Sequence, residues 1–238
     1  MRVVSLVPSV TESIVALGVA PVACTRFCEQ PGLPTVGGTK NPDIQAITDL
    51  RPDLVIVNDE ENRREDADAL SEAGIRLLEL SPRHVADVGG VVRGLGHALD
   101  VAVPGRFAAD AWEEWLADQR PAWPPRPAFV PVWRRPWMTL AADTYGASLL
   151  ALCGFTPVGG AAGGRYPETT LADVADEDPL IAVLPTEPYE FTERHVTEVA
   201  EELGVSAVLV DGQDLFWWGV RTPDALERLR ATLADADI

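Results

Sequence analysis

The sequence predicts an α/β protein built as two lobes with parallel sheets, joined by a rigid helical spacer. Three observations predict it. Short, continuously apolar runs bounded by turn residues alternate with stretches of helical spacing, the pattern of buried parallel strands and their crossover helices. The alternation is interrupted by an amphipathic stretch, Pro104 to Gln119, in which Phe107, Ala111 and Trp115 fall at i, i+4 and i+8. The same kind of unit then recurs on either side of that stretch. The expected division is a lobe over 1–100, a spacer helix and linker over 101–126, and a second lobe over 127–238. Pro104 suits a first helical turn, and Pro121, Pro124, Pro125 and Pro127 end the spacer.

In the first lobe Val3 to Leu6 reads as a buried strand. Ser9 and Glu12 have capping-box spacing ahead of the face Val10, Ile14 and Leu17, and Gly18 ends that helix. Val22 to Cys24 is a second strand. After the loop Gly37-Gly38-Thr39, Asn41 is the expected N-cap, with Pro42 next and a helix over Asp43 to Leu50. Leu54 to Val57 is the third strand. Asn62 and Glu65 form a second capping box before Ala67, Leu70 and Ala73, and Arg76 to Leu80 is the fourth strand. Val85, Val88, Val92, Leu95 and Leu99 then keep helical spacing, with Gly89, Gly90, Gly94 and Gly96 weakening the expected regularity.

The second lobe opens with a strand over Ala128 to Trp133 and a helix from Thr144 to Cys153. A glycine-rich loop around Gly159 to Gly164, a short helix within Pro167 to Ala175 and the strand Leu180 to Leu184 follow. Val196, Val199, Ala200 and Leu203 mark the next helix, Ser206 to Val210 a strand, and Thr222 with Pro223 the start of the last helix.

Composition excludes several classes. With 19 basic against 37 acidic residues the 238-residue chain carries a formal charge of −18, a field that repels nucleic acid and anionic membranes. No nucleic-acid partner is expected. Cys24, Cys28 and Cys153 make no paired ligand motif, and His84, His97 and His195 do not cluster, so no metal site is expected. Met1 and Arg2 run directly into the first strand, so no secretory signal is expected in the sequence as written. No apolar run nears the roughly 20 residues needed to span a bilayer. As written the chain is expected to be cytoplasmic, and periplasmic or extracellular only if a leader was removed.

Ligands of open α/β sheets gather at the carboxyl ends of the strands. By that rule the candidate binding residues of the first lobe are Ser9 and Thr11, Arg26 and Phe27, and Asn58 and Glu60. In the second lobe Trp133, Arg134, Arg135 and Trp137 offer flat stacking faces beside guanidinium donors, suited to a planar ligand bearing carboxylates or phosphate. Arg165 and Tyr166 add a cation and an aromatic ring, and Glu187 and Tyr189 follow the next strand. Of the three adjacent aromatics Phe216, Trp217 and Trp218, at least one should be exposed, because neighbours in sequence cannot all face one core.

The segments RVVSLVPSVTESIVALG, VGGTKNPDIQAITDLRPDLVIVN, DADALSEAGIRLLEL and TYGASLLALCGF resemble, in order, the periplasmic-binding-protein relatives with a helical backbone, which include cobalamin-, haem- and ferric-siderophore-binding proteins. The similarity is greatest to the cobalamin-binding type. It implies two Rossmann-like lobes of the class III kind and a non-catalytic substrate-binding protein of an ABC transporter. The implied ligand is a bulky, partly planar metal chelate such as a corrinoid, a tetrapyrrole or a siderophore-like compound, held in a cleft between the lobes. It also implies docking to a permease through one acidic residue per lobe, with Glu65 and Glu193 at the matching positions. Two other functions stay open on the residues alone: an enzyme using the same cleft with Glu187 or Asp211 as general base, and a protein-interaction module built on Trp217 and Trp218.

Overall fold

The structure, a computed structural model, describes residues 1–121, 124–160, 163–234 and 236. It divides into two compact units. One comprises Met1–Pro82, Asp87–Trp112 and Trp218–Val220, the other Arg83–Ala86, Glu113–Trp217 and Arg221–Ile238. Among the described residues no helix is long and apolar enough to cross a membrane.

The first unit carries β1 (Val3–Ser5), β2 (Ala23–Cys24), β3 (Leu54–Val57) and β4 (Leu77–Glu79), all parallel, in the order β2-β1-β3-β4. The crossovers are α1 (Pro8–Ala16), α2 (Ile44–Asp49) and α3 (Arg64–Glu72). One face of the sheet packs Val4, Val55 and Val57 against Ile47 and Leu70. The alternate residues Val3, Leu54 and Ile56 are buried as well, so both faces of the sheet are covered.

Several helix starts differ from expectation, each for a local reason. Ser9 lies inside α1, whose N-cap is Val7; Pro8 presets the first helical φ and no side chain caps the turn. Asp43 rather than Asn41 caps α2, accepting from the Ala46 N–H at 2.9 Å. The N-cap of α3 is Arg63, because Asn62 is turned inward and buried. The helix α4 (Val85–Leu99) is unbroken despite its glycines. Two of them make room: a Cβ on Gly89 would lie 2.5 Å from the Trp112 ring, and one on Gly96 would lie 2.4 Å from Val103.

The helix expected over Pro104–Gln119 is two pieces. A 3-10 turn, Gly105–Phe107, is followed by extended Ala108 and then α5 (Ala109–Asp118). Phe107 and Trp112 are both buried and stack at 5.3 Å and 23°. Residues five apart point about 140° away from each other on one continuous helix, so the break is what lets the rings meet.

The second unit contains β5 (Arg126–Phe129), β6 (Pro131–Arg134), β7 (Trp137–Thr139), β8 (Phe155–Val158), β9 (Glu168–Thr169), β10 (Ile181–Pro185) and β11 (Ser206–Val210). Its helices are α6 (Tyr145–Leu152), α7 (Leu171–Asp176), α8 (Glu193–Leu203), α9 (Gly212–Phe216) and α10 (Thr222–Ala234). The parallel sheet runs β11-β10-β5-β8, and a separate antiparallel sheet runs β6-β7-β9. What reads as one strand from Ala128 to Trp133 is therefore two. Phe129 belongs to the core with Val174, Leu184 and Val199, whereas Trp133 belongs to a hairpin that leaves the parallel sheet. Buried Thr139 fastens that hairpin: its hydroxyl lies 3.1 Å from the carbonyl oxygens of both Val130 and Val158.

Candidate functional site

In the second unit the insertion between β5 and α6 builds an aromatic ladder from the core outward. Phe129 meets Trp137 edge-on at 5.8 Å, and Trp137 stacks on Phe191 at 6.1 Å with planes 1° apart. Phe191 meets Tyr189 at 4.7 Å, and Tyr189 meets Trp133 at 5.4 Å. The inner rings are buried or half-buried, but Trp133 is 44% exposed. Rings locked on one another in this way present the last face at little entropic cost, the condition for a stacking platform.

His195 braces the ladder from the side, edge-on to Tyr189 and Phe191 at 5.8 and 5.7 Å. Its Nδ1 accepts from the Thr192 N–H at 3.0 Å and so closes the start of α8. Burial, with Arg134 and Arg194 adding like charge and Glu198 opposing, holds its pKa below the ordinary imidazole value. The ring is therefore neutral at pH 7, as an Nδ1 acceptor must be.

Arg134 is not the free anion donor expected. It is ion-paired with Glu198, and its guanidinium sits 5.7 Å over the Trp137 ring. Arg135, at the hairpin turn, is exposed. Arg165 and Tyr166 are half-buried beside the hairpin's end, where the Arg165 carbonyl accepts from the Ala141 N–H at 2.9 Å.

Glu187 follows β10 and lies against the loop after β11. A Cβ on Gly212 would come within 2.4 Å of the Glu187 backbone nitrogen, and the Gly212 N–H donates to Thr186 Oγ1 at 2.9 Å. Asp211, the other candidate base, caps α9 by accepting from the Gln213 N–H at 2.8 Å.

The exposure expected of Phe216, Trp217 and Trp218 is not found. Phe216 packs where a Gly146 side chain would stand, Trp217 is half-buried under the Arg221 guanidinium at 5.1 Å, and Trp218 is 7% exposed. Adjacent aromatics escape the one-core limit here because the chain divides: Trp217 belongs to the second unit and Trp218 to the first. Within the first unit Gly219, at φ +121°, lies so close to Ser13 that any side chain there would collide with its hydroxyl, which accepts from the Val220 N–H at 3.2 Å.

The first unit treats its strand ends differently. Arg26 and Phe27 are exposed after β2, with the guanidinium 4.9 Å over the ring. Gly38 backs both, since a Cβ there would stand 3.1 Å from the Phe27 ring and 3.3 Å from Arg26. Other candidates of this unit are committed to the fold. Ser9 and Thr11 are buried in α1, and the Thr11 hydroxyl donates to the Val7 carbonyl at 3.0 Å beside Cys28 Sγ at 3.1 Å. Asn58 is buried too: its amide donates to the Leu80 carbonyl at 2.7 Å while its oxygen accepts from the Glu60 and Glu61 N–H groups. All three side chains are buried, and those of Thr11 and Asn58 are engaged in bonds within the unit.

Glu60 is half-buried, its carbonyl receiving Lys40 Nζ. Burial raises the Glu61 pKa, Lys40 opposing and Glu60 adding. Among the described residues no group of three or more His, Cys, Asp or Glu could hold a metal ion.

The residues that sequence reasoning missed are mostly those that brace others. Phe129, Phe191 and Gly38 gave no separate signal. The Thr192-x-x-His195 spacing is a capping box with imidazole in the acid's place and was available to be read.

No family model matches the chain. It is 23% identical over 189 residues to the vitamin B12-binding protein of Vibrio cholerae serotype O1, covering 76% of this chain and 68% of that protein. Its structure is similar to that of the periplasmic vitamin B12 binding protein BtuF of Vibrio cholerae, with a TM-score of 0.79 and 22% identity over 98% of this chain and 96% of the other. The chain has the fold of the periplasmic vitamin B12- and heme-binding proteins. A periplasmic heme-binding protein from Pseudomonas aeruginosa shares that periplasmic-binding-protein fold at a TM-score of 0.76 and 22% identity, covering 99% of this chain and 94% of the other. These relatives are described as periplasmic, which gives the cytoplasmic expectation no support.

Proposed function

We propose that the chain is a non-catalytic binding protein of the ABC-transporter substrate-binding type, whose ligand is a bulky, partly planar metal chelate of the corrinoid or tetrapyrrole kind. The observation that carries this reading is Trp133, 44% exposed at the outer end of a ladder of rings rooted in the core. An aromatic face held rigid and left open costs stability unless something stacks on it. Exposed Arg135 stands two residues away to meet a peripheral carboxylate or phosphate. The names of the relatives, vitamin B12- and heme-binding proteins, support the same ligand class. An exported location accompanies this reading.

Titrating the protein with cobalamin and with haem while following tryptophan fluorescence tests it. Saturable quenching is expected with one of them, and Trp133→Ala should weaken binding about tenfold or more, about 1.4 kcal/mol. No quenching by either at tens of micromolar would end the proposal. Permease docking through Glu65 and Glu193 belongs to the same reading. Both are exposed in the first turns of their helices, Glu65 lying 3.6 Å from Arg63 Nε. Charge reversal at both should abolish ligand delivery to a cognate transporter and leave ligand affinity unchanged.

A further inference from the structure

At the amino ends of β5 and β8, opposite to the strand ends carrying the aromatic ladder, the second unit has a half-open cavity of about 390 Å³. Its wall is apolar where Leu152, Phe155 and Leu233 line it, and three arginines reach it, Arg120, Arg126 and Arg230, against the single carboxylate of Asp118. In a chain with about twice as many acidic as basic residues, that balance is inverted.

Among the described residues none of the three arginines has a carboxylate partner. Among the described residues Arg230 donates to neutral acceptors: the Gln119 side-chain oxygen at 2.7 Å, the Gln119 carbonyl at 2.6 Å and the Leu152 carbonyl at 2.9 Å. These bonds satisfy chain ends beyond α5 and in α6, and they leave the positive charge unneutralised. Arg126 lies with its guanidinium 4.6 Å over the Phe155 ring, and its buried Nε has no hydrogen-bond partner. An unpaired buried donor on a cation is costly, and the cost is recovered when an anion enters. Cys153, also on the wall, is not a competing nucleophile: burial pushes its thiol up to about 12, with Arg230 opposing.

We propose that this cavity binds a small organic anion, a carboxylate carried on an apolar body, with Arg126 and Arg230 as its charge partners and Phe155 and Leu152 as its wall. The volume suits a compact ligand at the small end of the usual range for pockets. Arg120, exposed at the rim, adds long-range attraction.

The test is calorimetry on the full chain with benzoate, with benzamide as its uncharged isostere and with inorganic phosphate. Benzoate should saturate one site at about millimolar concentration or below, with benzamide and phosphate each at least about tenfold weaker. Arg126→Met keeps an apolar stem, removes the unpaired donor, and should weaken benzoate about tenfold without lowering the melting temperature. Arg120→Gln gives a second variant outside the folded core, with a smaller loss that fades as salt is raised. Absence of saturation by roughly 10 mM, equal binding of benzamide or of phosphate, or an undiminished affinity in Arg126→Met would each overturn the proposal. No residue of this cavity belongs to the aromatic ladder, so its failure would leave the chelate reading untouched.

Discussion

The two units wind four parallel strands in the same order, the second beside the first and then the third and fourth, yet they finish the crevice beside their first strand in opposite ways. In the first unit Asn62 fills it. Its amide donates to the Leu6 carbonyl at 3.3 Å and the Thr39 carbonyl at 3.0 Å, and its oxygen accepts from the Asn58 N–H at 2.9 Å. In the second unit the chain leaves β5 for a hairpin, and the ladder of rings climbs out to Trp133. A strand end closed by saturated polar groups offers a ligand only its rim, here Arg26 and Phe27. One extended by packed rings offers a rigid face. The same topology thus yields a structural plug in one place and a candidate platform in the other.

Removing a rung is the strongest way to break this contrast. Phe191 is buried and touches Trp137, Tyr189 and His195, so Phe191→Ala should cost about 3–5 kcal/mol in denaturant unfolding. It should also cost chelate affinity, because Trp133 loses its backing through Tyr189. A variant that unfolds at lower denaturant yet binds as before would show that Trp133 is positioned by the hairpin alone. The matching change in the first unit is Asn62→Ala. It strands two carbonyls and one N–H in a buried place and should cost about 2–4 kcal/mol, with no direct loss of a ligand contact.

The contrast also explains what the sequence could disclose. The parallel strands were legible because both faces are buried, which forces runs such as Leu54–Val57 and Ile181–Pro185 to be apolar throughout. The hairpin was not. β6 and β7 carry Trp133, Arg134, Trp137 and Met138, residues chosen for one exposed and one packed face, and β9 is two residues long. Trp133, Trp137 and Tyr189 could be singled out as aromatics near strand ends, but not that Trp137 is an inner rung and Trp133 the outermost. That distinction depends on Phe129 and Phe191, which are distant in sequence and ordinary in composition. Asn62 misled for the converse reason: an asparagine ahead of a helix reads as a cap, and only the fold reveals the three buried groups it serves.

The smallest effect, and the one most particular to the second unit, lies in its pH dependence. His195 accepts a hydrogen bond at Nδ1 and is held neutral by burial and by Arg134 and Arg194, against Glu198. Its folded pKa lies below the ordinary 6.5, so the unfolded chain takes up a proton first. The stability this group contributes is complete above about pH 6.5 and is lost as pH falls through that value toward the folded pKa. Loss of the Nδ1 acceptor that closes the start of α8 is part of that decline. Urea unfolding at about pH 8, 6.5 and 5.5 should show the decline. In His195→Gln it should flatten while most stability at about pH 8 is retained, because glutamine at this position can accept the Thr192 N–H without titrating. An unchanged decline in that variant would assign the acid sensitivity to other groups. The first unit supplies no buried imidazole among its described residues, His97 being exposed on α4. Because the ring also braces Tyr189 and Phe191, the same acidification should weaken the platform at Trp133 before it touches the Asn62 plug.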